Sequence, residues 1–192
     1  VWRTDGVGEP RLLRGSDARF SAAAFSPDGA HVVAGAFDGA VYVWSLRGRG
    51  PAVALKGHQG RVRAATFSSD GARVLTASAD HTARVWRVDG GGAPLRLEGH
   101  EAEVDDARFS ADGGRVVTAS RDGTARVWCV DGSGAVVVLS GHTSGVSSAA
   151  FSPDGARVVT ASVDGTARVW RADGSGDPVV LSGHTARVTS AR

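Results

Sequence analysis

The 192-residue chain has no methionine, isoleucine or asparagine, and it has one lysine and one cysteine. A lone thiol, Cys129, excludes an intrachain disulfide and fits a reducing, cytoplasmic compartment. Long apolar runs are missing as well. The longest aliphatic stretch is AVVVL at 135–139, far short of the roughly 20 residues a membrane-spanning helix needs, so no membrane insertion is expected. No window sustains an apolar period near 3.6, and essentially no helix is expected.

Charge of one sign is equally scarce. The net charge is +2 although the pI is about 9.3, because almost nothing titrates just above neutrality and a small arginine excess carries the pI far. Acids and bases are interspersed, whereas a nucleic-acid binder presents a clustered basic patch, so no specific nucleic-acid partner is expected. The histidines have neither cysteine partners nor mates four residues away, which removes the usual zinc patterns. No metal or cofactor is expected.

What the chain does have is a period. Its five tryptophans, Trp2, Trp44, Trp86, Trp128 and Trp170, are each 42 residues apart. A fixed spacing of this size marks a supersecondary unit repeated in tandem. The units are near copies: FSADGGRVVTASRDGTARVW at 109–128 is followed by FSPDGARVVTASVDGTARVW at 151–170. Gly-His precedes them at 57–58, 99–100, 141–142 and 183–184, and Gly15-Ser16 stands at the matching place in the first.

Each unit carries four short strand signals. RVRAATF (61–67) alternates, Ser69-Asp70-Gly71 turns, ARVLTAS (72–78) follows, Ala79-Asp80-His81 turns again, and TARVW (82–86) is third. A glycine-rich loop at 89–92 leads to a fourth strand around 94–99. Glycine suits such turns because it takes positive φ without strain. Four short antiparallel strands, repeated, are the pattern of a propeller blade.

Gly-His, the Ser-Pro-Asp-Gly-type turn, the Ser-x-Asp-Gly-Thr turn and Val-Trp together resemble the WD40-repeat family over the whole chain. Its departure lies after each tryptophan, where Arg3, Ser45, Arg87, Cys129 or Arg171 stands in place of aspartate. The resemblance implies an all-β fold of WD40-type blades: four complete four-stranded units with a partial strand set at each end. The expected boundaries are 1–18 for the tail of a preceding repeat with an orphan outer strand near 10–14, then 19–57 for a degenerate first blade. Blades at 58–99, 100–141 and 142–183 follow, and 184–192 is expected as the first strand of a truncated blade. A chain starting at Val1 with no methionine is expected to be an excerpt of a longer closed array. Completion by a second copy, or an open arc with unpaired edges, are the alternatives. The near-identity of units resembles arrays from GC-rich bacteria.

His58, Ser78 and Asp80 invite comparison with an acyl-transfer triad, and the set returns as His100, Ser120, Asp122 and as His142, Ser162, Asp164. A catalyst needs one such site with an oxyanion hole, so a copy in every unit points to structure. The family resemblance implies a buried hydrogen-bonded chain joining the tryptophan indole (Trp86, Trp128, Trp170), a strand hydroxyl, the Gly-His imidazole and the turn aspartate. Thr76, Thr118 and Thr160 lie two residues before each serine on the same strand face, so either hydroxyl qualifies. The first unit has Ser16, Ala34 and Ala36 where the others have these groups and keeps Asp38 and Trp44; it is expected to be the least stable blade. Arg84, Arg126 and Arg168, with Tyr42 as counterpart, are expected on a solvated blade face. Each glycine-rich loop at 89–92, 131–134 and 173–176 offers one carboxylate, too few for calcium.

Function is expected where sister repeats differ. After the strand-opening apolar residue stand Ser21, Arg63, Asp105, Ser147 and Thr189; just before the turn aspartate stand Phe37, Ala79, Arg121 and Val163. The resemblance implies that both sets face the narrow end of the propeller where partners dock. A non-enzymatic scaffold binding a protein or peptide is therefore expected, as the sensing or docking arm of a larger bacterial signalling protein. A hydrolase and a purely architectural spacer are the alternatives, and self-association is expected if the chain is complete.

Overall fold

The computed structural model describes residues 1, 9–15, 17–48 and 50–192. Among these, sixteen strands and no helix form four antiparallel sheets, each ordered as its strands occur in the chain. The first sheet comprises β1 (Phe20–Phe25), β2 (His31–Ala36), β3 (Val41–Ser45) and β4 (Val53–Leu55). The second comprises β5 (Val62–Phe67), β6 (Arg73–Ser78), β7 (Ala83–Arg87) and β8 (Leu95–Leu97). The third comprises β9 (Val104–Phe109), β10 (Arg115–Ser120), β11 (Ala125–Cys129) and β12 (Val137–Leu139). The fourth comprises β13 (Val146–Phe151), β14 (Arg157–Ser162), β15 (Ala167–Arg171) and β16 (Val179–Leu181).

The first hairpin of each blade is closed by a serine-aspartate turn. In the second blade Ser68 Oγ donates to Asp70 Oδ1, which also accepts the Ala72 N–H at 2.9 Å, and Gly71 sits at φ +68°. A residue with a Cβ would be strained there. At the other end, His81 takes φ +68° where Gly39, Gly123 and Gly165 stand in its sisters.

The core lies between sheets rather than within one. Val33, Val41 and Leu55 of the first blade pack on Val62, Phe67, Val74 and Trp86 of the second. Leu75, Val85 and Leu97 then meet Val104, Val116 and Trp128, and Val117, Val127 and Leu139 meet Val146, Val158 and Trp170. Inner sheets are thus covered on both faces, and the second strand is buried almost throughout in the end sheets as well as the inner ones instead of alternating. The opening strands touch one another across blades and the three-residue fourth strands lie outermost. The outward faces of the two end sheets are open: Phe25 is 58% exposed, and Leu181 is 49% exposed where Leu55, Leu97 and Leu139 are 2–4% exposed.

Two expectations are corrected. Among the described residues, 10–14 and 187–192 form no strand. They are held by isolated contacts, such as the Val188 N–H on Ser162 O at 2.9 Å. Trp2 and Ser16 lie outside the described residues.

One register irregularity recurs. In all four blades the first hairpin slips by one residue near the start of its opening strand: Phe20 pairs with Ala36 but Ala22 with Gly35, and Val62 with Ser78 but Ala64 with Ala77. The unpaired residue is Ser21, Arg63, Asp105 or Ser147. A bulge of this kind frees a side chain from the ladder and re-aims it.

Candidate functional site

Two constellations recur, one inside each blade and one at the rim where the opening strand begins. Inside the second blade, Trp86 Nε1 donates to Thr76 Oγ1 at 2.8 Å, Thr76 Oγ1 meets His58 Nε2 at 2.7 Å, and His58 Nδ1 meets Asp80 Oδ2 at 2.8 Å. The third blade repeats this through Trp128, Thr118, His100 and Asp122 at 2.9, 2.7 and 2.7 Å. The fourth does so through Trp170, Thr160, His142 and Asp164 at 2.9, 2.8 and 2.7 Å. Indole only donates and carboxylate only accepts, so a neutral imidazole protonated at Nδ1 satisfies every member. The threonine is therefore the hydroxyl in the chain.

Ser78, Ser120 and Ser162 serve the adjacent turn instead. Ser78 Oγ donates to Gly60 O at 2.9 Å and accepts the Asp80 N–H at 3.2 Å, and its sisters do the same work. Both ring nitrogens of each histidine are occupied by aspartate and threonine, and its side chain has no exposed area. The Ser-His-Asp order thus fails to assemble a nucleophile with its base in any of the three blades.

Burial pushes the pKa of His58, His100 and His142 down, and the aspartate partner only partly offsets it. For the aspartates burial opposes ionisation, but hydrogen bonds outweigh it. The His58, Thr82 and Gln59 donors hold Asp80 well below the usual carboxylate range, and Thr124 with His100 brings Asp122 down to about 2.

Arg84 corrects an expectation. It is 6% exposed rather than solvated, with its guanidinium carbon 5.7 Å from the Trp86 ring centroid, and Arg168 lies 5.9 Å from Trp170. Such stacking contributes about 0.5–2 kcal/mol. The glycine of Gly-His leaves room for it: a Cβ on Gly99 would stand 2.5 Å from Arg126 Nη1, and one on Gly141 2.7 Å from Arg168 Nη1.

The first blade lacks this arrangement. Ala34 offers no hydroxyl, and Trp44 Nε1 donates instead to the Arg14 carbonyl at 3.0 Å. Asp38 is exposed, and among the described residues it accepts the Ala40 N–H alone, at 3.0 Å. Phe20, Tyr42 and Trp44 form an aromatic cluster with centroids 5.8–6.0 Å apart.

At the rim, the bulge residues divide by chemistry. Ser21 Oγ donates to Val62 O of the next blade, and Ser147 Oγ to Val188 O at 2.7 Å, so both serve the joints. Arg63 reaches across to the third blade, pairing with Glu103 and lying 3.1 Å from Asp105. Arg121 joins the same group, 3.0 Å from Glu103 and 2.9 Å from Asp105. Two cations and two anions so balance at one joint.

Phe37, Arg121 and Val163 remain 38%, 50% and 50% exposed at this end, Thr189 is exposed and Ala79 is half-buried. Between the third and fourth blades a cavity of about 440 Å³ is lined by Asp105, Arg121, Ser147, Val163, Arg187 and Thr189. One set was missed from sequence: the residue before the strand-opening apolar one, Arg19, Arg61, Glu103, Gly145 or Arg187. Its carbonyl bonds the N–H of Phe37, Ala79, Arg121 or Val163 in turn, at 2.9–3.0 Å. Its variety at the same 42-residue period was the available signal.

The glycine-rich loops are turns. Asp89 is taken up by Arg87 and the Gly91 N–H, and Asp131 by Ser133. Among the described residues no group of three or more histidines, cysteines or acids is placed to hold a metal, and no helix is long and apolar enough to cross a membrane.

A family model described as WD domain, G-beta repeat matches residues 10–45, 50–87, 93–129 and 134–171. No curated protein matches the chain.

Proposed function

The chain belongs to the WD40-repeat family, whose members typically act as non-catalytic scaffolds for protein partners, and from that premise we propose that its partner docks on the rim where the opening strands begin. The observation carrying this reading is the coincidence of variation with bulge geometry. Blades two to four are near copies, yet they differ at Arg63, Asp105 and Ser147, the residues a bulge releases from the ladder, and beside them at Ala79, Arg121 and Val163. Recognition commonly concentrates on such positions over a rigid sheet scaffold. The partner is a protein or peptide in this reading, and the chain serves as the docking arm of a larger bacterial signalling polypeptide. The signalling role is supported by likeness of the repeats alone.

The test is partner capture by cross-linking in the source cell, comparing the full chain with a Phe37→Ala, Arg121→Ala, Val163→Ala variant. Arg157→Ala, at the opposite end of the fourth blade, is the control. Loss of a partner in the rim variant alone is the expected result. Equal capture by all three proteins would leave the chain an architectural spacer.

A further inference from the structure

We propose that Arg19 and Arg61, converging on the ring of Phe37, form a site for one anionic side chain of the docked partner, a carboxylate or a phosphate. The proposal rests on the docking rim described above and names the chemistry read at its first joint. The guanidinium carbons of Arg19 and Arg61 lie 5.0 and 3.9 Å from the Phe37 ring centroid. They are therefore no further from each other than the sum of those distances. One carboxylate or phosphate, accepting bonds of about 2.8 Å from each fork, spans such a gap.

These two arginines are unlike their neighbours. Arg63 and Arg121 are neutralised by Glu103 and Asp105, and Arg73 and Arg115 donate to the Gly113 and Gly155 carbonyls. Among the described residues neither the Arg19 nor the Arg61 side chain has a carboxylate partner or a hydrogen bond, and Arg61 Nε is withdrawn from solvent with no acceptor. Asp38, next to Phe37 in the chain, turns its carboxylate to the Ala40 N–H. Stacking on a ring attracts a guanidinium but supplies no acceptor for its five N–H donors. Two like charges held this close also repel, and an anion relieves both costs. The phenyl ring favours the same guest, since its edge carries positive potential.

The occupant is a single anion on a peptide rather than a nucleic-acid backbone. A strand of phosphates crossing the rim would meet Glu103 and Asp105 at the next joint, where the anions are already matched one for one by Arg63 and Arg121. The site is also unique within the array. Ala79, Arg121 and Val163 replace Phe37 in the sister blades, so among the described residues no other joint has two arginines about an aromatic ring.

The decisive experiment follows the arginine Nε–H signals of the full chain by NMR during separate titrations with sodium acetate and sodium phosphate. Sodium chloride holds ionic strength constant. Saturable shifts at Arg19 and Arg61, with exposed Arg171 as reference, are expected. Acetate acting more strongly assigns a carboxylate, and phosphate acting more strongly a phosphoryl group. Arg61→Gln should weaken the response of Arg19 by about tenfold or more. Phe37→Ala, which keeps both charges, should weaken it less. Shifts that rise linearly, that match those of Arg171, or that survive Arg61→Gln would overturn the proposal. The docking reading is judged separately. Partner capture lost in the rim variant but retained by an Arg19→Gln, Arg61→Gln variant sinks the anion site alone, whereas capture indifferent to both variants sinks the rim.

Discussion

Replacing Thr118 with valine tests whether the threonine, rather than the serine two residues on, carries each blade's internal chain. Valine keeps the branched shape and exchanges the hydroxyl for a methyl group, so packing changes little. Thr118 is fully buried and bonds the Trp128 indole at 2.9 Å and His100 Nε2 at 2.7 Å. Removing its oxygen strands both partners away from water, at about 1–3 kcal/mol each, for a total of roughly 2–6 kcal/mol. Ser120→Ala frees only the Asp122 N–H and the Ala102 carbonyl, whose bonds are 3.1 and 3.2 Å long, and should cost about 1–2 kcal/mol.

Repeat arrays do not unfold as one unit, so the readout must be local. Amide hydrogen exchange over β9, β10 and β11 measures the opening of that blade. Thr118→Val should speed it by roughly thirtyfold to about twenty thousandfold, at tenfold per about 1.4 kcal/mol, and Thr118→Ser should recover most of the protection. If Ser120→Ala matched or exceeded Thr118→Val, or if Thr118→Val cost under about 0.5 kcal/mol, the assignment of the hydroxyl would be wrong.

Acid should weaken the blades in two stages. The buried histidines have lowered pKa values in the fold, so the unfolded chain takes up the proton first and protection of β5–β7, β9–β11 and β13–β15 falls as the pH drops below the ordinary histidine range. Asp80, Asp122 and Asp164 are lowered too, so a second loss follows as the pH falls through the carboxylate range, while β1–β3, lacking the set, should respond less. Near neutrality β1–β3 should exchange fastest of the four blades, and equal protection would refute the link between the chain and stability. Gly99→Ala and Gly183→Ala share φ near +140°, but only Gly99 of the two faces an arginine, whose flexible tip must shift; thermal melts should show Gly99→Ala costlier by about 0.5–1 kcal/mol.

The strands were legible because alternation and turn chemistry are local properties. The sequence expectation TARVW at 82–86 differs from β7 by one residue at each end, and the turn glycines sit where positive φ is needed. The network was legible only as a set. Thr118 and Ser120 lie on one strand face, and what separates them is which one the histidine reaches across the sheet, a tertiary distance. Arg84 was misread because a recurring arginine on a strand ordinarily faces water. Here a tryptophan beneath it and the missing Cβ of Gly57 create a slot that no single repeat reveals. The bulges were invisible for the same reason, since a bulge is a relation between two strands.

That relation explains how one unit is copied for stability and varied for recognition. The tryptophan, threonine, histidine and aspartate lie behind the rim, and changing any of them strands a buried partner. The bulge residue has no cross-strand partner in its own hairpin, so substituting it leaves the ladder intact and the constraint comes from the next blade instead. Ser21 and Ser147 spend this freedom on a neighbour's backbone carbonyl, which any sequence provides, whereas Arg63 spends it on Glu103 and Asp105, which only the third blade provides. The joint between the second and third blades is therefore specific in sequence, and those beginning at the first and fourth are generic. A repeat inserted between the second and third blades would break the charge match, while one inserted after the first would keep its serine bond. Variation at the rim is thereby steered toward Phe37 and Val163, exposed positions outside that charge match.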